Sequence, residues 1–150
     1  MIKHMTTDEN ILKTFPAIFQ LRPFLKEEEY LERVKDQQDN YGWHLVALFE
    51  GEEIACVAGY KFSRSFHFDR YMYVDDLVVD EKFRSQGIGD RMMRWLEDEC
   101  RGNGCAHLRL DSGVQRHKAH RFYLNQRMDI TCHHLIKEIA EESLTDIAKK

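Results

Sequence analysis

The spacing of apolar residues changes along the chain from a helical period to an alternating one. Two apolar-periodic segments predict helices, one that follows the N-cap residue Thr7 and one over residues 26–39. Pro16 lies inside the first segment and predicts that this helix ends or kinks there. Residues 1–5 predict a short strand ahead of both helices.

Runs rich in β-branched and aromatic residues predict an antiparallel meander after these helices. The expected strands cover residues 43–49, 54–62 and 71–79, and Gly59 allows a bulge in the second of them. From Gly87 the period becomes helical again, because apolar residues recur at four-residue steps. These residues are Ile88, Met92, Leu96 and Cys100.

The C-terminal part of the sequence predicts a strand, a helix and a last strand. Their expected ranges are residues 105–111, 118–126 and 130–139. For the tail over residues 140–150, a short helix and a disordered segment both stay open. Strands and helices therefore alternate in the second half of the chain, which indicates an α/β or α+β domain.

Composition places the chain among soluble globular proteins with one domain over residues 1–150. Of its 150 residues 43% are apolar and 32% charged, and this length can bury a sizeable core. The net charge of −4 gives no general affinity for nucleic acid or for an anionic membrane. No apolar run could span a bilayer and no secretory signal is seen, so we expect a cytoplasmic protein. The four cysteines form no Cys-x-x-Cys pair, so we expect neither a disulfide framework nor a metal site.

The junction between the strand over residues 71–79 and the helix from Gly87 has the features of a phosphate site. A helix N-terminus offers unpaired backbone N–H groups, and glycines let a bulky anion approach them closely. Arg84 adds a guanidinium suited to phosphate oxygens. A P-loop would end in Gly-Lys-Ser/Thr, and a dinucleotide fingerprint would have a third glycine where Met92 stands. The sequence has neither. A pyrophosphate cradle is predicted over Arg84, Ser85, Gln86, Gly87, Ile88 and Gly89. The alternative is a plain strand–helix turn whose glycines serve only the backbone.

The same six residues resemble the Arg/Gln-x-x-Gly-x-Gly/Ala signature of the GNAT superfamily, the acetyl-CoA-dependent N-acetyltransferases. Two later segments, Leu110-Asp111-Ser112-Gly113 and Ala119-His120-Arg121-Phe122-Tyr123, resemble that family's fifth strand and fourth helix. The chain departs from the pattern at Arg127-Met128, where the family often has Gly-Phe, and at Arg116, where many members have Asn. The resemblance implies an α/β (α+β) GNAT fold, with a single mixed, mostly antiparallel central sheet flanked by about four helices.

The resemblance also implies an activity, which is transfer of an acetyl group from acetyl-CoA to a primary amine of a small molecule or peptide. The attack would be direct, without a cysteine nucleophile or a metal. The cradle would hold the pyrophosphate of coenzyme A, and the backbone of Leu77, Val78 and Val79 would pair with its pantetheine arm. Tyr123 matches the family tyrosine and would protonate the leaving thiolate, since a phenol and a thiol have similar pKa values. The alternative for Tyr123 is an amphipathic tyrosine of the core.

Two carboxylates, Asp75 and Asp76, stand in a strand otherwise rich in Val and Leu, where a charge is costly unless it reaches water, a partner or a substrate. In a regular strand Asp75 would share a face with Tyr73 and Leu77, and Asp76 would face the other way. Several family members carry a Glu near Asp75 that accepts the amine proton. Either aspartate is therefore a candidate base, with Asp75 preferred and a water relay expected because its side chain is shorter. The alternative is that they cap the strand or pair with an arginine such as Arg109.

The candidate acceptor-binding residues are Arg22, Trp43 and His134. Arg22 could bind the carboxylate of an amino-acid-like acceptor, or it could be a surface residue, whereas the two aspartates could hold the cation of a polyamine or an aminoglycoside. Two other functions stay open, a non-catalytic acyl-CoA-binding sensor and a nucleotide-binding regulator. A homodimer through the last strand or the tail is a further expectation.

Overall fold

The computed structural model describes residues 1–140, and the chain divides into two compact units, Met1–Leu110 and Asp111–Lys150. The first unit contains β1 (Ile2–His4), α1 (Asp8–Lys13), α2 (Phe15–Leu21), α3 (Glu27–Tyr41), β2 (Trp43–Glu50), β3 (Glu53–Ser65), β4 (Asp69–Val79), a 3₁₀ turn (Glu81–Phe83), α4 (Ile88–Gly102) and β5 (His107–Leu110). The second unit contains α5 (His117–Asn125). Apart from residue 140, the predicted tail lies outside the described residues, and the single domain stays a prediction.

The five strands of the first unit form one sheet in the order β1-β2-β3-β4-β5. The first four strands are antiparallel neighbours, and β5 pairs with β4 in parallel. This confirms the mixed, mostly antiparallel sheet that the resemblance implied. The described residues form five α-helices where about four were predicted, because the first predicted helix is divided into α1 and α2.

The break between α1 and α2 falls at Thr14, two residues before the predicted position. Pro16 is tolerated in the first turn of α2, where its missing N–H has no intrahelical acceptor to lose. The predicted N-cap is confirmed, since the Thr7 hydroxyl accepts a hydrogen bond from the Asn10 N–H at 3.2 Å. The proline therefore starts a second helix rather than ending the first.

The helices bury apolar residues on both faces of the sheet. On one face, α1–α3 and the sheet share a core that includes Ile11, Ala17, Ile18, Tyr30, Val34, Leu45, Ala47, Val57 and Val78. On the other face, α4 buries the four-residue stripe that predicted it, together with Met93. Each fully buried side chain of this kind contributes about 1.5–3 kcal/mol relative to exposure. None of the helices formed by residues 1–140 is long and apolar enough to cross a membrane.

A β-bulge interrupts the pairing of β3 with β4. Tyr60 lies opposite Val74, and its neighbour Gly59 lies opposite Asp76, so Asp75 is an extra residue of β4. The register shift therefore lies at Gly59, as predicted, but the bulged strand is β4 and not β3. Because the extra residue shifts the alternation of β4, Asp76 takes the same face as Asp75, and the prediction that the two carboxylates face opposite ways is wrong. Leu77 lies opposite Ala58 and takes the other face.

The missing side chain of Gly59 makes room for the indole of Trp43. A Cβ at residue 59 would lie 2.0 Å from the Cζ2 atom of Trp43 and 2.6 Å from its Cε2 atom. Such distances are far inside van der Waals contact, so the indole lies directly on the backbone of β3. Trp43 is thereby fixed on the face of the sheet that carries Asp75 and Asp76.

The last strand predicted over residues 130–139 is wrong for the described structure. This segment has no regular secondary structure, and Ile130 and Leu135 are 77% and 89% exposed. β-propensity stabilises a strand only when its backbone pairs with a neighbour, and the described sheet ladders include no residue beyond Leu110. The residue types of this segment favour a strand, but no strand of the described residues pairs with it.

The end of α5 explains one departure from the family pattern. Arg127 has a φ of 62°, and the Met128 N–H returns to the Tyr123 carbonyl at 3.1 Å. A residue with left-handed backbone angles commonly ends an α-helix, and it is usually glycine. Arg127 therefore makes the turn itself, at a conformational cost that a glycine would not have.

We expect Gly59→Ala to destabilise the first unit by about 1–3 kcal/mol, because the new methyl group forces the indole of Trp43 off the sheet. Urea unfolding followed by tryptophan fluorescence measures this loss and reports the altered environment of Trp43.

Gly102→Ala is the matched control, because a Cβ at this position of α4 meets nothing within 4 Å. We expect it to raise the free energy of unfolding by up to about 1 kcal/mol through helix propensity alone. Equal effects of the two substitutions would contradict the close contact at Gly59.

Candidate functional site

The bulge of β4 brings two carboxylates together on the face of the sheet covered by α1–α3. Side-chain exposure is 32% for Asp75 and 18% for Asp76, so both are partly withdrawn from water. A partly buried carboxylate needs a partner, a hydrogen-bond donor or a ligand. The two side chains have different partners, and these partners give the two carboxylates different affinities for a proton.

Asp76 is held by Arg22, which follows α2. The Arg22 Nε donates to the Asp76 Oδ1 at 2.9 Å, and the Nη2 donates to the backbone carbonyl of Asp75 at 3.1 Å. The guanidinium thus bridges a side chain and the bulge backbone, which fixes the end of α2 against β4. Arg22 is the partner of Asp76, and the alternative partner Arg109 instead stacks on Phe68 and Tyr71, with its Cζ 4.1 Å and 4.7 Å from the ring centroids.

Among residues 1–140, Asp75 has a single and loose ion pair, with the Lys61 Nζ 4.0 Å from its Oδ2. Burial raises the pKa of this carboxyl above its usual value, and the neighbouring charge of Asp76 raises it further. Lys61, Trp43 and Arg22 each lower the pKa, but they do not outweigh burial. Asp75 is therefore a better proton acceptor than an ordinary surface aspartate.

Trp43 places an unused donor in the same region. Its side chain is buried, and its Nε1 has no hydrogen-bond partner among the residues that the structure describes. The indole lies near enough to Asp75 to help lower the pKa of that carboxyl, yet it does not reach hydrogen-bond geometry. A buried donor left without an acceptor is costly, which favours a water or a ligand atom at this position.

Arg22, Trp43 and Asp76 line a cavity of about 160 Å³ between α2, α3 and the sheet, and Asp75 is the neighbour of Asp76 in β4. Its lining residues are Ile18, Arg22, Phe24, Leu25, Tyr30, Arg33, Val34, Gln37, Trp43 and Asp76. A single water requires roughly 10–15 Å³ on this measure, so the cavity has room for a small molecule or one side chain. Apolar walls with a few convergent polar groups are typical of a small-molecule site.

Tyr30 lines this cavity, but its proton is already engaged. The Thr14 hydroxyl donates to the Ile11 carbonyl at 2.6 Å, so the hydroxyl pair 2.7 Å apart leaves Tyr30 as the donor to Thr14. Burial also raises the pKa of Tyr30 to about 12, against the opposing effect of the Thr14 hydrogen bond. Tyr30 is therefore a poor proton donor to a thiolate.

The loop that joins the 3₁₀ turn to α4 ends at a glycine N-cap. Gly87 is the N-cap residue with a φ of 74°, and a glycine has no side chain with which to cap the first turn. Ser85 also has a positive φ, 63°, and residues 84–87 are exposed. A Cβ on Gly87 would meet no atom of residues 1–140 within 4 Å, so the space beside this residue is open. The geometry fits the predicted anion cradle.

The second half of β4 has a free backbone edge. β5 pairs with β4 only along Tyr71–Val74, so within residues 1–110 the segment 75–79 has no strand partner on that side. Leu77, Val78 and Val79 therefore keep backbone groups available beside the bulge. These are the three residues for which pairing with a pantetheine arm was predicted.

Two predicted site residues lie in the second unit. Tyr123 is on α5, half-buried, with its ring 5.4 Å from that of Phe122. His134 is 3.0 Å from the Asp111 carboxylate, between its Nδ1 and the Oδ2. Their roles stay predictions. Among residues 1–140, no three His, Cys, Asp or Glu side chains converge as a metal site would require.

Sequence reasoning missed three polar residues of the site. Lys61 lies on the neighbouring strand β3, within 4.0 Å of Asp75. Arg33 and Gln37 line the cavity from α3. The signal was present for the pair on α3, because both lie at helical spacing from the buried Tyr30. Lys61 could not be placed without the register of β3 on β4.

Comparison with known proteins identifies the family. Residues 9–128 match the model of the acetyltransferase (GNAT) family. The chain belongs to this family. It is an acyl-CoA-dependent N-acetyltransferase with acetyl-CoA as the donor, and the sensor alternative is not favoured.

Relatives of this acetyltransferase carry consistent names. It is 31% identical over 125 residues to the uncharacterized N-acetyltransferase YhdJ of Bacillus subtilis, which covers 83% of this chain and 88% of that protein. It is 31% identical over 81 residues to the aminoalkylphosphonate N-acetyltransferase of Salmonella typhimurium, covering 54% and 53% of the two chains.

Solved structures confirm the GNAT fold of the acetyltransferase. A protein described as a transcriptional regulator from Bacillus halodurans superposes with a TM-score of 0.81 at 18% identity, over 93% of this chain and 99% of that one. Glucosamine-6-phosphate N-acetyltransferase from Arabidopsis thaliana superposes with a TM-score of 0.71 at 22% identity, over the same shares.

We expect Asp75→Asn to stabilise the acetyltransferase at about pH 7, because ionisation of the buried Asp75 opposes folding once its folded pKa is raised. The gain should vanish as the pH falls from the raised value to below the unfolded value of about 3.9, where the wild-type carboxyl is also protonated. Urea unfolding at several pH values measures it.

Asp76→Asn is the control at the adjacent residue, and we expect the opposite sign. It leaves the guanidinium of Arg22 without its carboxylate, which should cost about 1–3 kcal/mol. If both substitutions destabilised the protein equally at neutral pH, the assigned difference between the two carboxylates would be wrong.

Proposed function

We propose that this acetyltransferase acetylates the primary amine of a small molecule that enters the cavity beside Asp75 and Asp76. The observation that carries the proposal is the bulge, which puts both carboxylates on the cavity face of β4 next to the free edge of that strand. The donor would bind along the edge of β4 and the acceptor in the cavity on its face. Holding the two reactants together in this way would raise the rate, because their orientation is fixed before they react.

On the donor side, acetyl-CoA supplies an acyl thioester that a neutral amine can attack directly. The residues proposed to hold it are Arg84, Ser85, Gln86, Gly87, Ile88 and Gly89 at the pyrophosphate, with Leu77, Val78 and Val79 along the pantetheine arm. The glycine N-cap of α4 and the edge of β4 that β5 leaves unpaired support this assignment. Backbone N–H groups of β4 would polarise the thioester carbonyl and stabilise the charge that develops on its oxygen.

On the acceptor side, we assign Asp75 as the general base, acting through a water. Its raised pKa and loose ion pair support proton uptake from an ammonium group. The unpartnered Nε1 of Trp43 gives such a water a donor to bind. Asp76 is engaged by Arg22 and is assigned as a positioning residue that holds the bulge in place.

For the general acid we retain Tyr123, which matches the family tyrosine. Tyr30, which lines the cavity of the first unit, donates its proton to Thr14 and has a pKa of about 12, so it is a poor alternative as the acid. A phenol of ordinary pKa near 10 can protonate a thiolate without further activation.

The size of the cavity and the names of relatives both favour a small acceptor over a peptide. A volume of about 160 Å³ is suited to a molecule of a few heavy atoms. Two similar proteins are named for small amines, an aminoalkylphosphonate and glucosamine 6-phosphate. We propose an acceptor of the same size class for this chain.

We expect Gly87→Ala to weaken coenzyme A binding by about tenfold or more, because alanine disfavours the positive φ of this residue and a shifted loop would lose a backbone hydrogen bond to a charged oxygen. Calorimetric titration with coenzyme A measures this. Gly51→Ala is the control, with a similar φ of 64° and equally open space in a distant hairpin. A similar loss of affinity in both variants would contradict the cradle.

We expect Tyr123→Phe to lower kcat for amine acetylation by about 10²–10⁴, the usual contribution of a general acid, with little change in coenzyme A affinity. Thiol release from acetyl-CoA in the presence of primary amines measures turnover. Tyr41→Phe, at a residue that is 68% exposed, should leave kcat unchanged. An unaltered kcat in Tyr123→Phe would remove Tyr123 from the mechanism.

A further inference from the structure

One side of α3 forms a wall of the cavity. Tyr30, Arg33, Val34 and Gln37 all line it, and their spacing of three and four residues puts them on one face of the helix. Tyr30 and Val34 are buried in the core, whereas Arg33 and Gln37 are exposed. The helix therefore gives the cavity an apolar floor and a polar rim.

The two arginines that line the cavity are not equivalent. Arg22 is engaged by the Asp76 carboxylate and the Asp75 carbonyl. Arg33 has no hydrogen bond or ion pair with any residue in the range 1–140. Its guanidinium keeps five donors and a full positive charge at the cavity mouth.

The donors and acceptors of the cavity are out of balance. Asp76 is compensated by Arg22, and Asp75 has only Lys61 at 4.0 Å. The Trp43 Nε1 is a second donor without a partner in the described part of the chain, and it is buried. A ligand that complements this surface needs a cationic or amine end for Asp75 and an end rich in acceptor oxygens.

We propose that the acceptor carries an anionic oxygen group, such as a carboxylate, phosphonate or phosphate, and that Arg33 binds it while the amine points toward Asp75. The inference rests on the proposed function, since it assigns the acceptor to the same cavity. Arg33 is then a specificity-determining residue. The planar guanidinium can hold two oxygens of such a group at once, which an uncharged alkyl amine cannot exploit.

The test compares amines that share a two-carbon or three-carbon skeleton and differ in charge, namely 2-aminoethylphosphonate, β-alanine and propylamine. Thiol release from acetyl-CoA gives kcat/KM for each. We expect the wild-type enzyme to prefer the two anionic amines, and Arg33→Gln to reduce the ratio of anionic to neutral kcat/KM by about 10–100-fold, the equivalent of one charge-assisted hydrogen bond. The phosphonate and carboxylate arms show which oxyanion is bound.

Two further variants sharpen the comparison. Lys35→Gln removes the same charge from α3, but Lys35 pairs with Asp8 at 2.8 Å and does not line the cavity, so the ratio should stay at the wild-type value. Arg33→Glu should move the preference toward 1,3-diaminopropane, because the new carboxylate attracts a second ammonium group.

A binding measurement gives a readout that does not depend on turnover. Titration of 2-aminoethylphosphonate onto the complex with free coenzyme A permits no acetyl transfer. We expect Arg33→Gln to raise the Kd by about 10–100-fold, and Arg33→Lys to restore part of the loss through its point charge.

The failures of the two proposals are distinguishable. If propylamine is acetylated as well as the anionic amines and Arg33→Gln does not change their ratio, the anion site is wrong while the small-amine function stands. If none of the amines is acetylated and none binds the coenzyme A complex, the small-amine function fails and the anion site fails with it.

Discussion

The site depends on the contact of the Trp43 indole with the bare backbone of Gly59. The same glycine lies opposite the bulge of β4. The indole of Trp43 and the extra residue Asp75 therefore meet at one position of the sheet. The extra residue turns Asp76 to the side of Asp75, and Arg22 then fixes the distorted backbone through the Asp75 carbonyl. Without the bulge, Asp75 and Asp76 would point to opposite faces of the sheet. One of them would enter the core under α4, and the face that carries the cavity would keep a single carboxylate.

The two carboxylates illustrate how adjacent residues acquire different chemistry from their partners. Asp76 has a strong hydrogen-bonded cation, and its role is to hold the fold of the site. Asp75 is buried with weak compensation, so its charged form is disfavoured and its affinity for a proton rises. Burial that opposes folding is thus the same burial that raises the proton affinity of Asp75.

Local signals predicted most of the elements, because caps, apolar periods and glycine-containing turns act within a few residues. Thr7, the stripe on α4 and the glycine-containing turn before α4 are of this kind. The pairing of strands is not local. The facing of Asp76 depends on the register of β3, and the strand expected over residues 130–139 depends on a neighbour that its own sequence does not specify. The sequence indicated Arg22 as a candidate binding residue, but its hydrogen bond to Asp76 joins positions far apart in the chain and could not be predicted.

The cavity wall is divided between two sources, and this division has a consequence for how the enzyme can change. Trp43, Asp75 and Asp76 belong to the sheet, where each is tied to the register and the core. Arg33 and Gln37 project from α3 at exposed positions, where substitutions usually alter stability by no more than about 0.5 kcal/mol. If Arg33 selects the acceptor as proposed, acceptor choice can change by substitution on the surface of α3 while the residues of the sheet stay the same, so related enzymes could modify different metabolites without a change of fold.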